Sequence, residues 1–114
     1  MRIVICVKQV IDTAARIELK GGKVDSTRLA KVLNPYDEFA VEEAIRIRER
    51  KPDTDVTLLS LGPDNFRDAL RAGLAMGADN AIHLMDPAFN EVEPLTVARL
   101  LAKAVVLIGF DLIL

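Results

Sequence analysis

The sequence contains few of the residues that build disulfide or metal-held folds. Its 114 residues include one cysteine, one histidine, one tyrosine and no tryptophan. A single cysteine cannot form an intrachain disulfide, and one cysteine with one histidine cannot supply a structural zinc site. The 15 basic and 17 acidic residues give a net charge of −2, without the basic excess of a nucleic-acid-binding domain. We therefore expect no disulfide framework, no zinc module and no nucleic-acid partner.

Long apolar segments are also missing. The longest uninterrupted apolar run, Ala104–Phe110, has seven residues, whereas a membrane-spanning helix needs about 20. Near the N-terminus only Ile3–Val7 precede Lys8, which is too short for the apolar core of a signal peptide. With 51% hydrophobic and 28% charged residues the composition is that of a globular protein. We expect one cytoplasmic domain over residues 1–114.

Four short apolar runs alternate with helical patterns along the chain. The runs are Ile3–Val7, Val56–Leu61, Ala81–Leu84 and Asp111–Leu114. None alternates between apolar and polar residues, which is typical of strands buried on both faces of a parallel sheet. Between the runs, apolar residues recur at helical spacing in segments 39–47, 66–74 and 95–108. This order predicts an α/β fold in which helices cover a parallel sheet.

Prolines and glycines mark the helix boundaries. Asn34 fits an N-cap, and the three predicted helix starts are at Pro35, Pro63 and Pro94. Gly77 and Gly109 stand where the second and third helices should end. Residues 9–33 break the pattern: Arg16–Leu19 and Lys23–Asp25, separated by Lys20-Gly21-Gly22, predict a small polar hairpin inserted after the first strand.

The usual signatures of phosphate-binding and hydrolytic sites are absent. The sequence has no G-x-G-x-x-G after the first strand, no G-x-x-x-x-G-K-[ST] and no G-x-S-x-G. His83 lies in the third strand pattern, where a hydrogen-bonded structural role is the favoured interpretation. Ala72–Asp79 is also interpreted as structural, with Gly73 allowing close packing of a helix on the sheet. Hydrolytic chemistry is therefore not expected.

Three segments lie where strands of the chain end, so in a parallel sheet they share the carboxyl edge. They are Cys6–Val10, Asn34–Asp37 and Ser60–Pro63. Each alone also fits a plain structural role: a core cysteine, a capped helix and a tight turn around Gly62. Ligands of open α/β sheets bind at this edge, and a helix N-terminus offers unpaired N–H groups. Together the segments predict a shallow, nucleotide-sized site in which Asp37 disfavours phosphate and favours a ribose or base.

At these residues the sequence resembles the β subunit of the electron transfer flavoproteins, including the relatives that accompany nitrogen fixation. The resemblance covers essentially the whole chain. The matching segments, in order, are Ile5–Val10 with Asp12-Thr13, Asn34–Glu38, Ala40–Ala44, Leu59–Pro63, Arg71-Ala72, Ala75–Asp79 and Asp111–Leu114. The resemblance implies a Rossmann-like adenine-nucleotide-binding domain of the HUP type.

The resemblance also implies a function. Members are heterodimers of α and β subunits that carry electrons from flavin dehydrogenases to a membrane quinone reductase, or between other partners such as ferredoxin. They are carriers rather than enzymes with substrates of their own. The α subunit holds most of the electron-carrying FAD, and the β subunit holds AMP, or a second FAD in electron-bifurcating members. By position, the nucleotide site would be lined by Cys6, Asn34, Pro35, Tyr36, Asp37 and Leu61.

The sequence departs from the family in length, because the family continues for roughly as many residues again. A loop that wraps the nucleotide phosphates follows the fourth strand in the family and is absent here. Since a chain end on an interior strand is also unfavourable, we expect the front part of a longer protein, truncated after its fourth core strand. Such a piece should bind nucleotide weakly or not at all, and its unpaired fourth strand should promote self-association. A stand-alone adenine-nucleotide-binding module and an assembly domain without nucleotide remain alternatives. Co-purification with a flavin-containing α partner would favour the β-subunit interpretation over both.

Overall fold

The structure is a computed structural model that describes residues 1–12, 14, 16, 18–25 and 29–114. The main sheet comprises β1 (Arg2–Cys6), β6 (Asp55–Leu61), β7 (Asn80–Leu84) and β8 (Leu112–Ile113). Two antiparallel pairs lie between β1 and the first helix in sequence: β2 (Gln9–Ile11) with β5 (Lys31–Leu33), and β3 (Glu18–Lys20) with β4 (Lys23–Asp25). The helices are α1 (Pro35–Arg50), α2 (Arg67–Met76) and α3 (Pro94–Ile108), with 3₁₀ turns at Asp64–Phe66 and Pro87–Phe89.

The main sheet is parallel throughout and has the strand order β7-β6-β1-β8. After β1 the chain adds β6 and then β7 on one side, and it crosses back to add β8 on the other side of β1. The strand order therefore reverses between β1 and β8, which is where open α/β sheets bind their ligands, at the carboxyl ends of the strands. The predicted α/β fold with a parallel sheet is confirmed.

Alternate residues of β1 bury their side chains on opposite faces of the sheet. Ile3 and Ile5, both fully buried, share a core with Val41 of α1 and Leu70 of α2. Val4 and Leu59 pack on the other face with Val105 of α3. Because strand side chains point alternately up and down, β1 anchors helices on both faces. The central position of β1 explains why its sequence is continuously apolar.

Gly73 brings α2 directly onto β6. A Cβ atom at this position would lie 2.5 Å from Cδ1 of Leu58, whose side chain is fully buried and cannot move aside. The glycine thus sets the close approach of helix and sheet, as the sequence predicted.

Most of the predicted helix boundaries are confirmed. Asn34 is the N-cap of α1, and its Oδ1 accepts a hydrogen bond of 3.3 Å from the Tyr36 N–H. α3 begins at Pro94, and α2 and α3 are followed by glycines with positive φ, 123° at Gly77 and 80° at Gly109. The prediction at Pro63 is wrong by one turn, since a 3₁₀ turn follows this proline and α2 begins only at Arg67.

The predicted hairpin is present, and its second strand has the predicted bounds, Lys23–Asp25, whereas the first strand is Glu18–Lys20 and takes in a residue predicted for the connection. Lys20 pairs with Lys23, so the connection is the two-residue turn Gly21-Gly22. Both glycines have positive φ, 59° and 76°, as a type I′ turn requires. Of the predicted first strand, Arg16 lies outside β3 and Ile17 lies outside the described residues.

Two other expectations about the strands need correction. The prediction that all four main strands are buried on both faces is wrong for β7 and β8, which lie at the two edges of the sheet. Asn80 and Ala81 are exposed, and Ile113 is 42% exposed, because an edge strand has a neighbour on one side only. The β2–β5 pair was not predicted at all, since each strand has only three residues. None of the helices in the described part of the chain is both long and apolar enough to cross a membrane.

Candidate functional site

Two hydrogen bonds made by the Lys8 backbone connect the end of β1 to the start of α1. The Lys8 N–H donates to Oδ2 of Asp37 at 2.8 Å, and the Asn34 N–H donates to the Lys8 carbonyl at 2.9 Å. The β2–β5 pair begins immediately beside this contact, with Gln9 opposite Leu33. The structure thus brings the first and second predicted segments together at the carboxyl edge of the sheet.

The third segment reaches the same edge through β6. Cys6 is paired in register with Leu59, and Leu61 lies two residues farther along on the same face. Cys6 is half-buried against the core that contains Val4 and Leu59, and Leu61 is 7% exposed. On its other side, the Cys6 N–H donates to the Leu114 carbonyl at 3.1 Å. Cys6 and Leu61 therefore form an apolar floor at the carboxyl ends of β1 and β6. Of these two strands, only β1 borders the point where the strand order reverses, between β1 and β8.

The expectation that the N-terminus of α1 offers unpaired N–H groups is wrong. Pro35 has no N–H, and Tyr36 donates to the Asn34 side chain. The N–H groups of Asp37 and Glu38 both donate to the Asn34 carbonyl, at 2.9 and 3.1 Å. Since these donors are used and the Asp37 carboxylate lies beside them, the helix start does not favour an anion. The polar groups that remain for a ligand are on side chains: a carboxylate oxygen of Asp37, which accepts, and the amide nitrogen of Asn34, which donates.

The side chains around the α1 start differ in exposure. Asn34 and Asp37 are half-buried, Pro35 is exposed, and Tyr36 is 82% exposed. Asp37 uses Oδ2 to hold Lys8, and its Oδ1 has no donor among the described residues, so it can accept from a hydroxyl or amino group. The exposed ring of Tyr36 offers a flat surface on which a planar base can stack.

The Cys6 thiol is held in its neutral form. Its pKa is raised, first by burial and second by the nearby Asp37 carboxylate. Because the thiolate is the reactive form of cysteine, this environment opposes nucleophilic or redox chemistry at Cys6. Cys6 contributes a small apolar surface. Because the Asp37 carboxylate is one of the two causes of the raised Cys6 pKa, these two predicted site residues are close enough to interact electrostatically.

Two buried polar side chains near this edge were not selected from the sequence. Gln9 is 9% exposed and Ser60 is fully buried. Neither Oε1 of Gln9 nor Oγ of Ser60 has a hydrogen-bond partner among the described residues. Both belong to segments that the sequence singled out. The only sequence signal that could have selected Gln9 and Ser60 is a polar side chain within or next to an apolar strand.

Gly62 and His83 have structural roles. A ring nitrogen of His83, Nε2, hydrogen-bonds to the Gly62 carbonyl at 3.1 Å, which confirms the predicted hydrogen-bonded role. The space where a Gly62 side chain would lie is occupied by the ring of Phe66. The close approach that Gly62 permits is therefore made by the side chain of Phe66.

A surface depression of about 540 Å³ lies at the carboxyl ends of β6 and β7. It is lined by Pro63, Asp64, Asn65, Met85, Asp86, Pro87 and Asn90. None of the six residues predicted to line the nucleotide site contributes to it.

Comparison with known proteins decides the family. The model of the electron transfer flavoprotein domain matches residues 21–114 of the chain. The chain belongs to the electron transfer flavoprotein family. This finding confirms the resemblance on which the site residues were chosen.

The similar curated proteins in this family are β subunits. The electron transfer flavoprotein subunit beta of Dictyostelium discoideum is 40% identical over 92% of this chain. The corresponding subunit of Bos taurus is 41% identical over the whole of this chain. The corresponding subunit of Syntrophomonas wolfei is 44% identical over 72% of the chain. The chain spans 42%, 46% and 32% of the lengths of these three relatives, which is less than half in each case.

Proposed function

We propose that residues 1–114 form one α/β domain of an electron transfer flavoprotein β subunit that binds an adenine nucleotide at its carboxyl edge. The observation that carries this proposal is the pair of hydrogen bonds between Lys8 and the start of α1. These bonds assemble Asn34 and Asp37 beside the apolar floor of Cys6. The family of the chain supports the choice of nucleotide, and the geometry supports its orientation.

The residues fit the adenosine half of a nucleotide better than its phosphates. Cys6 and Leu61 supply an apolar surface, Asp37 supplies an acceptor for a ribose hydroxyl or an exocyclic amino group, and the amide nitrogen of Asn34 supplies a donor. The N–H donors of the α1 start are already used, and Asp37 repels negative charge. The ligand would be AMP, or the adenosine portion of a second FAD, with its phosphates directed away from Asp37.

The proposed role is that of an electron carrier without a substrate of its own. The FAD bound mainly by an α subunit would supply the redox chemistry when present. This chain would hold the structural nucleotide and exclude water from the edge of the sheet at Cys6 and Leu61. The complete heterodimer, a cytoplasmic protein, would exchange electrons with flavin dehydrogenases and with a quinone reductase or a ferredoxin-type partner.

Co-expression with a tagged α subunit of the same organism tests this proposal. We expect the chain to co-purify in a 1:1 complex that shows flavin absorbance, and acid extraction to release an adenine nucleotide. For comparison, AMP should bind the isolated chain with a dissociation constant weaker than roughly 10 μM by calorimetry. An isolated chain that binds AMP below 1 μM but ignores the α subunit would instead be a stand-alone nucleotide-binding module. A chain that does neither would be an assembly domain.

A further inference from the structure

Helix α3 has a second apolar surface, on the side that faces away from the core. Its core side is marked by the buried Val105, with Leu101 and Ile108 packed nearby. The outer surface of α3 consists of Leu95, Ala98, Ala102, Val106 and Leu107, all of them exposed. Val106 and Leu107 are 74% and 87% exposed. Spacings of three and four residues place the first four on one stripe of the helix.

The shape of this surface suits a second helix. Ala98 and Ala102 are one turn apart, and small side chains let another helix approach closely. A depression of about 500 Å³ beside them is lined by Ala102, Lys103, Val106 and Leu107. This lining is almost entirely apolar, apart from the ammonium group of Lys103. A leucine-sized side chain of an opposing helix could enter it.

The charges of α3 define the occupant. Arg99 and Lys103 are exposed one turn apart along the stripe, and α3 contains no acidic residue. Like charges at this spacing repel one another. Neither residue forms an ion pair with the side chains that the structure describes. Pairing α3 with a second copy of itself would bring four positive charges together, which opposes self-association through this surface.

We propose that the outer surface of α3 binds an amphipathic helix of a partner protein whose apolar stripe is flanked by Asp or Glu. The apolar stripe covers Leu95, Val106 and Leu107, and the carboxylates pair with Arg99 and Lys103. In this mode of recognition an amphipathic helix lays its apolar face on an apolar surface of the other protein. The two ion pairs relieve the repulsion within α3 and distinguish an acidic partner from a basic one.

Fluorescence anisotropy with synthetic stapled helices tests the proposal on the intact chain. The probes carry the same leucine and alanine stripe, flanked by Glu in one peptide, Gln in a second and Lys in a third. We expect the Glu peptide to bind roughly 3- to 10-fold more tightly than the Gln peptide. The advantage should shrink as the salt concentration rises. Equal binding of the Glu and Gln peptides, or binding of neither, overturns the proposal.

Two sets of variants locate the interaction. Val106→Glu should abolish binding, whereas Leu19→Glu, at a matched 73% exposure on the β3–β4 hairpin, should leave it unchanged. The double variant Arg99→Glu and Lys103→Glu should reverse the preference in favour of the Lys peptide, which a merely structural effect cannot do. If sedimentation shows a dimer that Val106→Glu dissociates while the peptides do not bind, the occupant is a second copy and the proposal is wrong.

Discussion

The Lys8 N–H donates a hydrogen bond of 2.8 Å to the Asp37 carboxylate, across 29 positions of sequence. This contact joins the first loop residues after β1 to the first turn of α1. The same carboxylate raises the pKa of the Cys6 thiol, after the larger effect of burial. One side chain therefore positions the backbone of the candidate site and also determines its electrostatic character.

Replacing Asp37 should loosen this end of the sheet. In Asp37→Ala the Lys8 N–H loses its charged acceptor. Because the site is only half-buried, water can replace part of this hydrogen bond, and we expect a loss of about 1 kcal/mol in unfolding free energy. Urea denaturation measures the effect. The matched control is Glu38→Ala, the exposed neighbour on the same turn, which should change stability by less than about 0.5 kcal/mol. Equal losses in the two variants would contradict the assigned role of Asp37.

The raised pKa of Cys6 predicts a pH dependence in the alkaline range. Below the ordinary thiol pKa both the folded and unfolded states keep the proton, so Cys6 adds no pH dependence. Above it the unfolded state loses the proton first, so stability falls with pH by up to about 1.4 kcal/mol per unit until the folded pKa is passed. Urea unfolding from about pH 8 to pH 10 should show this decline, and Cys6→Ala should reduce it. Identical slopes for the two proteins would mean that the pKa is not raised.

Asp79 should matter far more to stability than a surface aspartate with a similar partner. Its two oxygens accept from Arg48 at 2.7 Å and from the Val56 N–H at 2.8 Å, and Val56 is fully buried. Removing the carboxylate leaves a buried donor unpaired, so Asp79→Ala should cost about 1–3 kcal/mol in chemical denaturation.

The matched control is Asp68→Ala. The Asp68–Arg71 pair is 3.7 Å apart, and both side chains are largely exposed, so this change should cost less than about 0.5 kcal/mol. If the two variants lose the same stability, the Asp79 contact is only a surface ion pair.

The fold could be predicted where the signals are local. Pro35, Pro94, Gly77 and Gly109 mark helix ends through their own backbone preferences, and β1 and β6 are apolar enough to be recognised. The β2–β5 pair could not be predicted, because three-residue strands have no readable period and depend on hydrogen bonds between distant residues. The edge positions of β7 and β8 follow from strand order, which the local pattern does not encode.

The candidate site was predictable as a set of segments but not as a set of contacts. Shared position at the carboxyl edge follows from the parallel sheet for Cys6 and Leu61, so these two could be grouped in advance. Asn34 follows β5 of the separate β2–β5 pair and reaches this edge through its hydrogen bond to the Lys8 carbonyl. The pairing of the α1 donors follows from Asn34 as an N-cap, since the carbonyl and the side chain of such a residue both accept from the first turn. The ring of Phe66 beside Gly62 could not be predicted, because glycine shows that space is needed without showing what fills it.

The exposed edge at β8 should let the isolated chain self-associate. Within the described part of the chain β8 pairs with β1 alone, and Ile113 is 42% exposed, so the outer backbone groups of β8 can pair with another chain. Sedimentation at increasing concentration should show association that Ile113→Lys suppresses, since charged side chains on an edge discourage strand pairing. Leu19→Lys, on the hairpin, should have no such effect. A wild-type chain that stays monomeric at high concentration would contradict the prediction.

The most direct test of the central claim is an amide NMR titration of the chain with adenosine, AMP and inorganic phosphate in parallel. We predict weak, saturable shifts for adenosine and AMP that are centred on Cys6, Asn34, Tyr36, Asp37 and Leu61. Phosphate alone should leave these signals unmoved, because the N–H donors at the α1 start are already paired. Asp37→Ala should reduce the response to adenosine. Shifts confined to other parts of the molecule, or a response to phosphate equal to that to AMP, would contradict an adenosine-binding edge.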